Sequence, residues 1–140
     1  MANSQKCWAF GLTQYVRAAV DNVEEYIGTK GQKLQPKAKT LLSSKYRPEV
    51  DISDELDEDE ASYLQSLIGV LRLIVELGRV NICCKLSMLS SHLALPRQGH
   101  LEEVLHMFAY LKSHTNSEMV FDPSRVEFDK TPFPKKRWGY

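Results

Sequence analysis

Residues 57–78, DEDEASYLQSLIGVLRLIVELG, decide the fold class of this chain. Aliphatic residues recur here at the intervals of one helix face, namely Leu64, Leu67, Ile68, Leu71, Ile74 and Val75. Asp57, followed three residues later by Glu60, has the spacing of a capping box, and the acidic first turn complements the positive end of the helix dipole. The pattern ends at Gly78. The stretch therefore predicts a long amphipathic helix at the centre of the core.

Three further segments show the same helical periodicity. Residues 13–27 predict a helix with Thr13 as its N-cap and Gly28 as its stop. Residues 80–93 predict a helix that ends before Pro96, and residues 101–111 predict one that follows Gly99. Residues 119–121 form a short apolar run and predict a strand.

These elements predict a mainly α fold of three to four amphipathic helices with a short C-terminal strand. The chain has 140 residues and 16.0 kDa, which fits one domain. Along it, residues 1–50 form a basic segment with the first helix and a loop, 51–60 an acidic linker, 61–115 the helical core, and 116–140 the strand and a tail. The tail's last ten residues, TPFPKKRWGY, contain two prolines and are predicted to be loosely held.

Several classes of protein are excluded by composition. The longest apolar stretch is interrupted by polar and charged residues, so no segment offers the roughly 20 apolar residues of a membrane span. The N-terminus lacks a signal-peptide core, and three cysteines, two of them adjacent, make no disulfide framework. We therefore expect an intracellular protein, cytoplasmic or nuclear, without a membrane partner. Of Cys83 and Cys84, we expect one in the core and the other partly exposed.

Signatures of catalysis and metal binding do not occur in the sequence. It has no glycine-rich phosphate loop, no G-x-S-x-G, no H-E-x-x-H and no C-x-x-C. His100 and His106 lie six residues apart, on different sides of a helix, and His100 is predicted to cap or flank that helix. We therefore predict no catalytic residue, no metal site and no cofactor.

Charge is balanced overall, with 18 basic and 18 acidic residues, but it is separated along the chain. Residues 51–60 hold seven acidic residues and no basic one, which predicts a solvated linker. Five lysines occupy the preceding loop, which contains Gly31 and Pro36: Lys30, Lys33, Lys37, Lys39 and Lys45. Such a loop is predicted to be mobile and able to meet phosphate, and the alternative is an ordinary solvated lysine-rich loop.

From Tyr63 to Lys112 the sequence resembles the late polymerase region of copia-type retrotransposon Pol polyproteins. The resemblance rests on motifs in a fixed order: Tyr63 with Leu67-Ile68-Gly69 and Leu71, Arg79 and Ile82, Leu89-Ser90, Pro96 and His100, and Tyr110-Leu111-Lys112. Upstream, residues 12–16 (LTQYV) are similar to a further family element. Downstream, residues 119–121 and Trp138 resemble the approach to a ribonuclease H domain.

This resemblance implies the thumb and connection part of a reverse transcriptase, which helps position the RNA/DNA template-primer beside the remaining Pol domains. The lysines of the loop, with Arg72 and Arg79, are then the candidate phosphate contacts. The family's Tyr-x-Asp-Asp metal turn does not occur in the sequence, and the ribonuclease H carboxylates would follow Trp138. We therefore expect no enzymatic activity from this chain by itself. The alternatives are a small helical protein-interaction module, with self-association through exposed apolar faces, and a non-functional remnant.

Overall fold

The computed structural model describes residues 7–121, which form four α-helices and a two-stranded antiparallel sheet. The elements in chain order are β1 (Trp8–Gly11), α1 (Thr13–Thr29), α2 (Glu58–Glu76), α3 (Cys83–Ser90), α4 (Gln98–Ser113) and β2 (Glu118–Phe121). Two 3-10 turns, Pro48–Val50 and Val80–Ile82, lie between helices. The predicted mainly α fold class is confirmed. No helix within residues 7–121 is long and apolar enough to cross a membrane.

Helix α2 lies at the centre of the core, as its sequence predicts. The Asp57 side chain accepts a hydrogen bond from the Glu60 backbone N–H at 2.8 Å, so the predicted cap is confirmed. One face of the helix is buried along its length, through Leu64, Leu67, Ile68, Leu71 and Ile74. This face packs against α1, α3 and α4, and burial of apolar surface is the main favourable contribution to the fold.

Helix α1 covers α4 and α2 with the apolar face that its periodicity predicts. Its buried residues are Val16, Ala19, Val20, Val23 and Ile27. The predicted ends differ from the structure by one or two residues: the N-cap position is Leu12, and the helix continues to Thr29. Thr13 Oγ1 donates instead to the carbonyl oxygen of Thr115 at 3.4 Å. Gly28 lies inside the helix, and Gly31, at φ +72°, makes the left-handed turn beyond it.

The third helix is shorter than predicted. The chain makes the Val80–Ile82 3-10 turn, and α3 extends from Cys83 to Ser90. Two serine hydroxyls donate to main-chain carbonyls here, Ser90 Oγ to Leu86 and Ser91 Oγ to Met88, both at 2.7 Å. Such bonds compete with the helical ladder, which explains the early end. Cys83 and Cys84 are both exposed, so the expectation that one lies in the core is wrong.

The predicted C-terminal strand is present as β2 and begins one residue earlier, at Glu118. It pairs with β1, which the sequence pattern did not indicate because four residues are too few to show alternation. Trp8 lies opposite Phe121, and Phe10 lies opposite Met119. The predictions for residues 131–140 and for Trp138 lie outside the described residues.

Candidate nucleic-acid interface

The basic loop, residues 30–47, connects α1 to the Pro48–Val50 turn without forming a helix or strand. Two of its residues are buried in the core, Ala38 at 3% exposure and Leu42 at 7%. Leu34 and Leu41 pack against the same core with part of their surface. The loop is therefore held against the helices, which differs from the mobile loop expected from its glycine and proline content.

Helix α4 holds the basic loop by hydrogen bonds. The buried Glu103 carboxylate accepts from the backbone N–H of Ser43 at 2.9 Å. His106 Nε2 donates to the Thr40 carbonyl oxygen at 2.9 Å. Because these side chains satisfy main-chain groups that an irregular loop leaves unpaired, they fix its path over α4.

Four of the five candidate lysines project from this anchored loop into solvent: Lys33, Lys37, Lys39 and Lys45. We call them the loop lysines. None of them forms an ion pair within residues 7–121, where the ion pairs involve other side chains. The loop lysines therefore present four unneutralised positive charges on a fixed backbone.

Lys30 lies at the start of the loop and differs from the other four. Its ammonium group lies 3.5 Å from Glu60 Oε1 and 5.4 Å from the centre of the Tyr26 ring. Desolvation acts to lower the pKa of Lys30, but Tyr26 and Glu60 outweigh it and raise the pKa above its usual value. Lys30 stays charged, and the nearby Glu60 carboxylate offsets part of that charge.

The two candidate arginines occupy different environments. Arg72 is exposed on α2, as a phosphate contact requires. Arg79 is 2% exposed, and its Nη1 donates to the His114 carbonyl oxygen at 2.7 Å. Burial lowers the pKa of its guanidinium, which nevertheless joins the end of α2 to the end of α4. Arg79 therefore has a structural role here, which differs from the surface contact that the resemblance implies.

A polar junction that the sequence reasoning missed fixes the other end of the loop. The Asp51 carboxylate accepts from the Tyr46 hydroxyl at 2.6 Å, and from the backbone N–H and hydroxyl of Ser53 at 2.9 and 2.6 Å. Ser53 Oγ accepts in turn from the Gly99 N–H at 2.9 Å. Asp51 belongs to the acidic run interpreted as a solvated linker, and its sequence neighbours gave no sign of these partners.

His100 extends the polar junction into the core. It is 3% exposed, and its Nδ1 accepts from the Arg97 backbone N–H at 3.1 Å, so the predicted cap on α4 is confirmed. Since Nδ1 is the acceptor, Nε2 carries the hydrogen and donates to the Pro48 carbonyl oxygen at 3.2 Å. The imidazole therefore joins the first turn of α4 to the Pro48–Val50 turn.

The polar junction makes stability depend on pH. Desolvation opposes the charge on Asp51, but the hydrogen bonds from Ser53 and Tyr46 outweigh it and lower the pKa of the carboxyl. Burial and the bond to Asp51 raise the pKa of Tyr46, so the phenol stays protonated and donating. A lowered carboxyl pKa stabilises the folded state above about pH 4, and this contribution is lost as pH falls through the folded-state pKa.

Asp51→Asn is therefore expected to lower the free energy of unfolding by about 1–2 kcal/mol at pH 7. The difference in free energy of unfolding between this variant and the unsubstituted chain should become smaller below about pH 4, where Asp51 itself becomes protonated. Urea unfolding of the variant and of the unsubstituted chain, from pH 7 to pH 2.5, measures this difference at each pH. A difference that stays constant over this range would contradict the role given to the Asp51 charge.

No three side chains from His, Cys, Asp and Glu gather into a possible metal site in the described part of the chain. The described residues offer four exposed cations on the basic loop and a fifth, Arg72, on α2, and exposed cations of this kind are the usual contacts to phosphate. Comparisons with protein-family models, with curated proteins and with solved structures give no match.

Proposed function

We propose that the chain is part of a copia-type reverse transcriptase and contributes to positioning an RNA/DNA template-primer through phosphate contacts. The observation that carries this proposal is the set of four exposed loop lysines on a backbone anchored to α4. Contacts to phosphate position a duplex without reading its sequence. On this proposal the chain has no activity of its own, and the metal centres belong to the remaining Pol domains.

Binding by the chain alone should be weak. Its net charge is zero, so it has no long-range attraction for a polyanion. Five acidic residues are exposed just before α2 and within its first turn, and they repel phosphate: Asp54, Glu55 and residues 57–59. Phosphate contacts release counterions, so the affinity that remains should fall steeply with salt concentration.

The test is binding to an RNA/DNA hybrid duplex across a salt series. Changing the four loop lysines to Gln is expected to weaken binding at low salt and to reduce the slope of log K against log salt by about one unit for each lysine that contacts a phosphate. Lys30→Gln is the matched control within the loop, because Glu60 already engages that ammonium. Equal affinity and equal slope in the four-lysine variant would refute the proposal.

A small helical interaction module is the second candidate, favoured by exposed apolar side chains around α3. Val80 is 61% exposed, Met88 40% and Leu95 67%. Apolar patches of this kind bind partners or promote self-association. Light scattering on the same samples distinguishes the two candidates. A molecular mass that rises with protein concentration, and that falls after Val80→Ser, supports the interaction module. A folded monomer that binds no duplex is the result expected of a non-functional remnant.

A further inference from the structure

The two-stranded sheet carries three exposed aromatic rings. Trp8 is 81% exposed, Phe121 57% and Phe10 49%. Trp8 lies directly opposite Phe121, and Phe10 lies two residues further along β1, so the three rings are on the same side of the sheet. We call them the aromatic face. Exposed aromatic groups at this density are unusual for a surface without a binding role.

One end of the aromatic face contacts the turn that follows α2. The Phe10 ring lies against Gly78, where an added Cβ would be 3.5 Å from Phe10 Cδ1. Gly78 has φ +134°, a conformation that other residues rarely adopt, so the turn after α2 brings its backbone up to this ring. Phe10 thereby contacts the turn after α2, and Trp8 and Phe121 are the two more exposed rings.

We propose that the aromatic face stacks unpaired bases of single-stranded nucleic acid. The proposal rests on the proposed function and adds to it a second class of contact, with bases rather than phosphates. Aromatic side chains on an open antiparallel sheet are a general way to hold single strands, because every base has an uncharged π face. The residues on the aromatic side of this sheet, with Met119 opposite Phe10, carry no charge, which suits the bases.

The segments that precede β1 and follow β2 in the sequence have an excess of basic residues. Lys6 precedes β1, and the 19 residues after β2 contain five basic residues, Arg125, Lys130, Lys135, Lys136 and Arg137, against three acidic ones. A purely apolar partner protein would gain nothing from this excess. The charge pattern therefore favours a polyanion over an apolar protein as the occupant, and the exposed rings suit the bases of a nucleic acid.

Tryptophan fluorescence gives a direct test, because the chain has two tryptophans. In a Trp138→Phe background Trp8 is the one remaining tryptophan. With excitation that selects tryptophan over tyrosine, titration with a short oligothymidylate is expected to quench its fluorescence as bases stack. A strand of the same length with abasic residues carries the same phosphates without bases. It should bind about tenfold more weakly and leave the fluorescence unchanged.

Substitution separates stacking from general charge attraction. In the full chain, Trp8→Leu keeps an apolar residue on the strand and is expected to weaken oligothymidylate binding about tenfold, with an unchanged salt slope. Val120→Ala, an exposed position on the other side of the sheet, is the matched control and should leave binding unchanged. The four-lysine variant should alter the salt slope for duplex and leave the quenching of Trp8 by the single strand in place.

Two results would overturn the inference. Equal binding of the normal and abasic strands, without quenching, would show that bases are not contacted. Trp8 fluorescence that changes with protein concentration alone, together with a doubled mass in light scattering, would assign the aromatic face to contact between copies of the chain. A failed loop-lysine test with successful quenching would reject the duplex proposal and keep this one.

Discussion

Gly99→Ala is expected to lower the free energy of unfolding by about 2–4 kcal/mol, although it adds one methyl group. A Cβ at this position would lie 2.0 Å from Asp51 Oδ2 and 2.8 Å from Asp51 Cγ. Hydrogen bonds from Tyr46 and Ser53 hold that carboxylate in place. The methyl group can therefore be accommodated only if Asp51 moves and gives up partners.

A double-mutant cycle isolates this mechanism. In an Asp51→Ala background the obstructing carboxylate is gone, so Gly99→Ala should cost less than about 1 kcal/mol in urea unfolding. Equal costs in the two backgrounds would show that the effect of Gly99→Ala does not pass through Asp51.

Gly69→Ala is the matched control for the same substitution. Gly69 lies inside α2, and apart from its chain neighbours and the nearby backbone of its own helix, an added Cβ would have no atom within 4 Å among the described residues. Alanine favours a helix over glycine by about 1 kcal/mol, so this variant is expected to be more stable than the unsubstituted chain. A gain in the free energy of unfolding at Gly69 and a loss at Gly99 would show that the space around each glycine, not the loss of glycine itself, decides the effect on stability.

The helices could be predicted from the sequence because burial follows a period of 3.6 residues. In α2 the five buried residues are among the six aliphatic positions that the pattern selects, and the sixth, Val75, is partly buried. The Asp57 cap is a local interaction over three residues. Helix ends were predicted less well. Serine hydroxyls end α3 early, and their bonds to main-chain carbonyls depend on backbone geometry that a spacing rule does not contain.

The polar junction could not be predicted because its partners are far apart in sequence. Gly99 N–H and Ser53 Oγ are separated by 46 residues, and the His100 and Pro48 atoms by 52. The acidic run of residues 51–60 indicated a solvated segment, and five of its seven acidic residues are exposed, but nothing in the sequence marked Asp51 and Glu60 as the two that are partly buried. Arg79 shows the same limit, since its partner at His114 is 35 residues away.

The candidate interface was predicted in part. The lysine spacing indicated an exposed basic loop, and the structure places the loop lysines in solvent. The lysine spacing did not indicate that Glu60 pairs with Lys30, because that pairing depends on how α1 and α2 cross. Nor did it indicate β1 or the aromatic face, since the strand pairing joins the two ends of the described chain.

Phe108→Ala is expected to have the largest effect of the substitutions considered, a loss of about 3–5 kcal/mol in the free energy of unfolding. Phe108 is fully buried on α4 and belongs to the core cluster that joins α1, α2 and α4. It also forms part of the wall of a cleft of about 250 Å³ that Tyr15 and Val70 line from α1 and α2. Removing the ring deletes core contacts and leaves a space that joins this cleft.

Phe108→Leu keeps most of the apolar volume and should cost about 1–2 kcal/mol, which separates the loss of volume from the loss of the aromatic ring. Leu73→Ala is the surface control, because Leu73 is 41% exposed on the far side of α2 and should change stability by less than about 1 kcal/mol. Urea unfolding at pH 7 ranks the three variants. If Phe108→Ala were no more destabilising than Leu73→Ala, α4 would not pack on α1 and α2 through this ring.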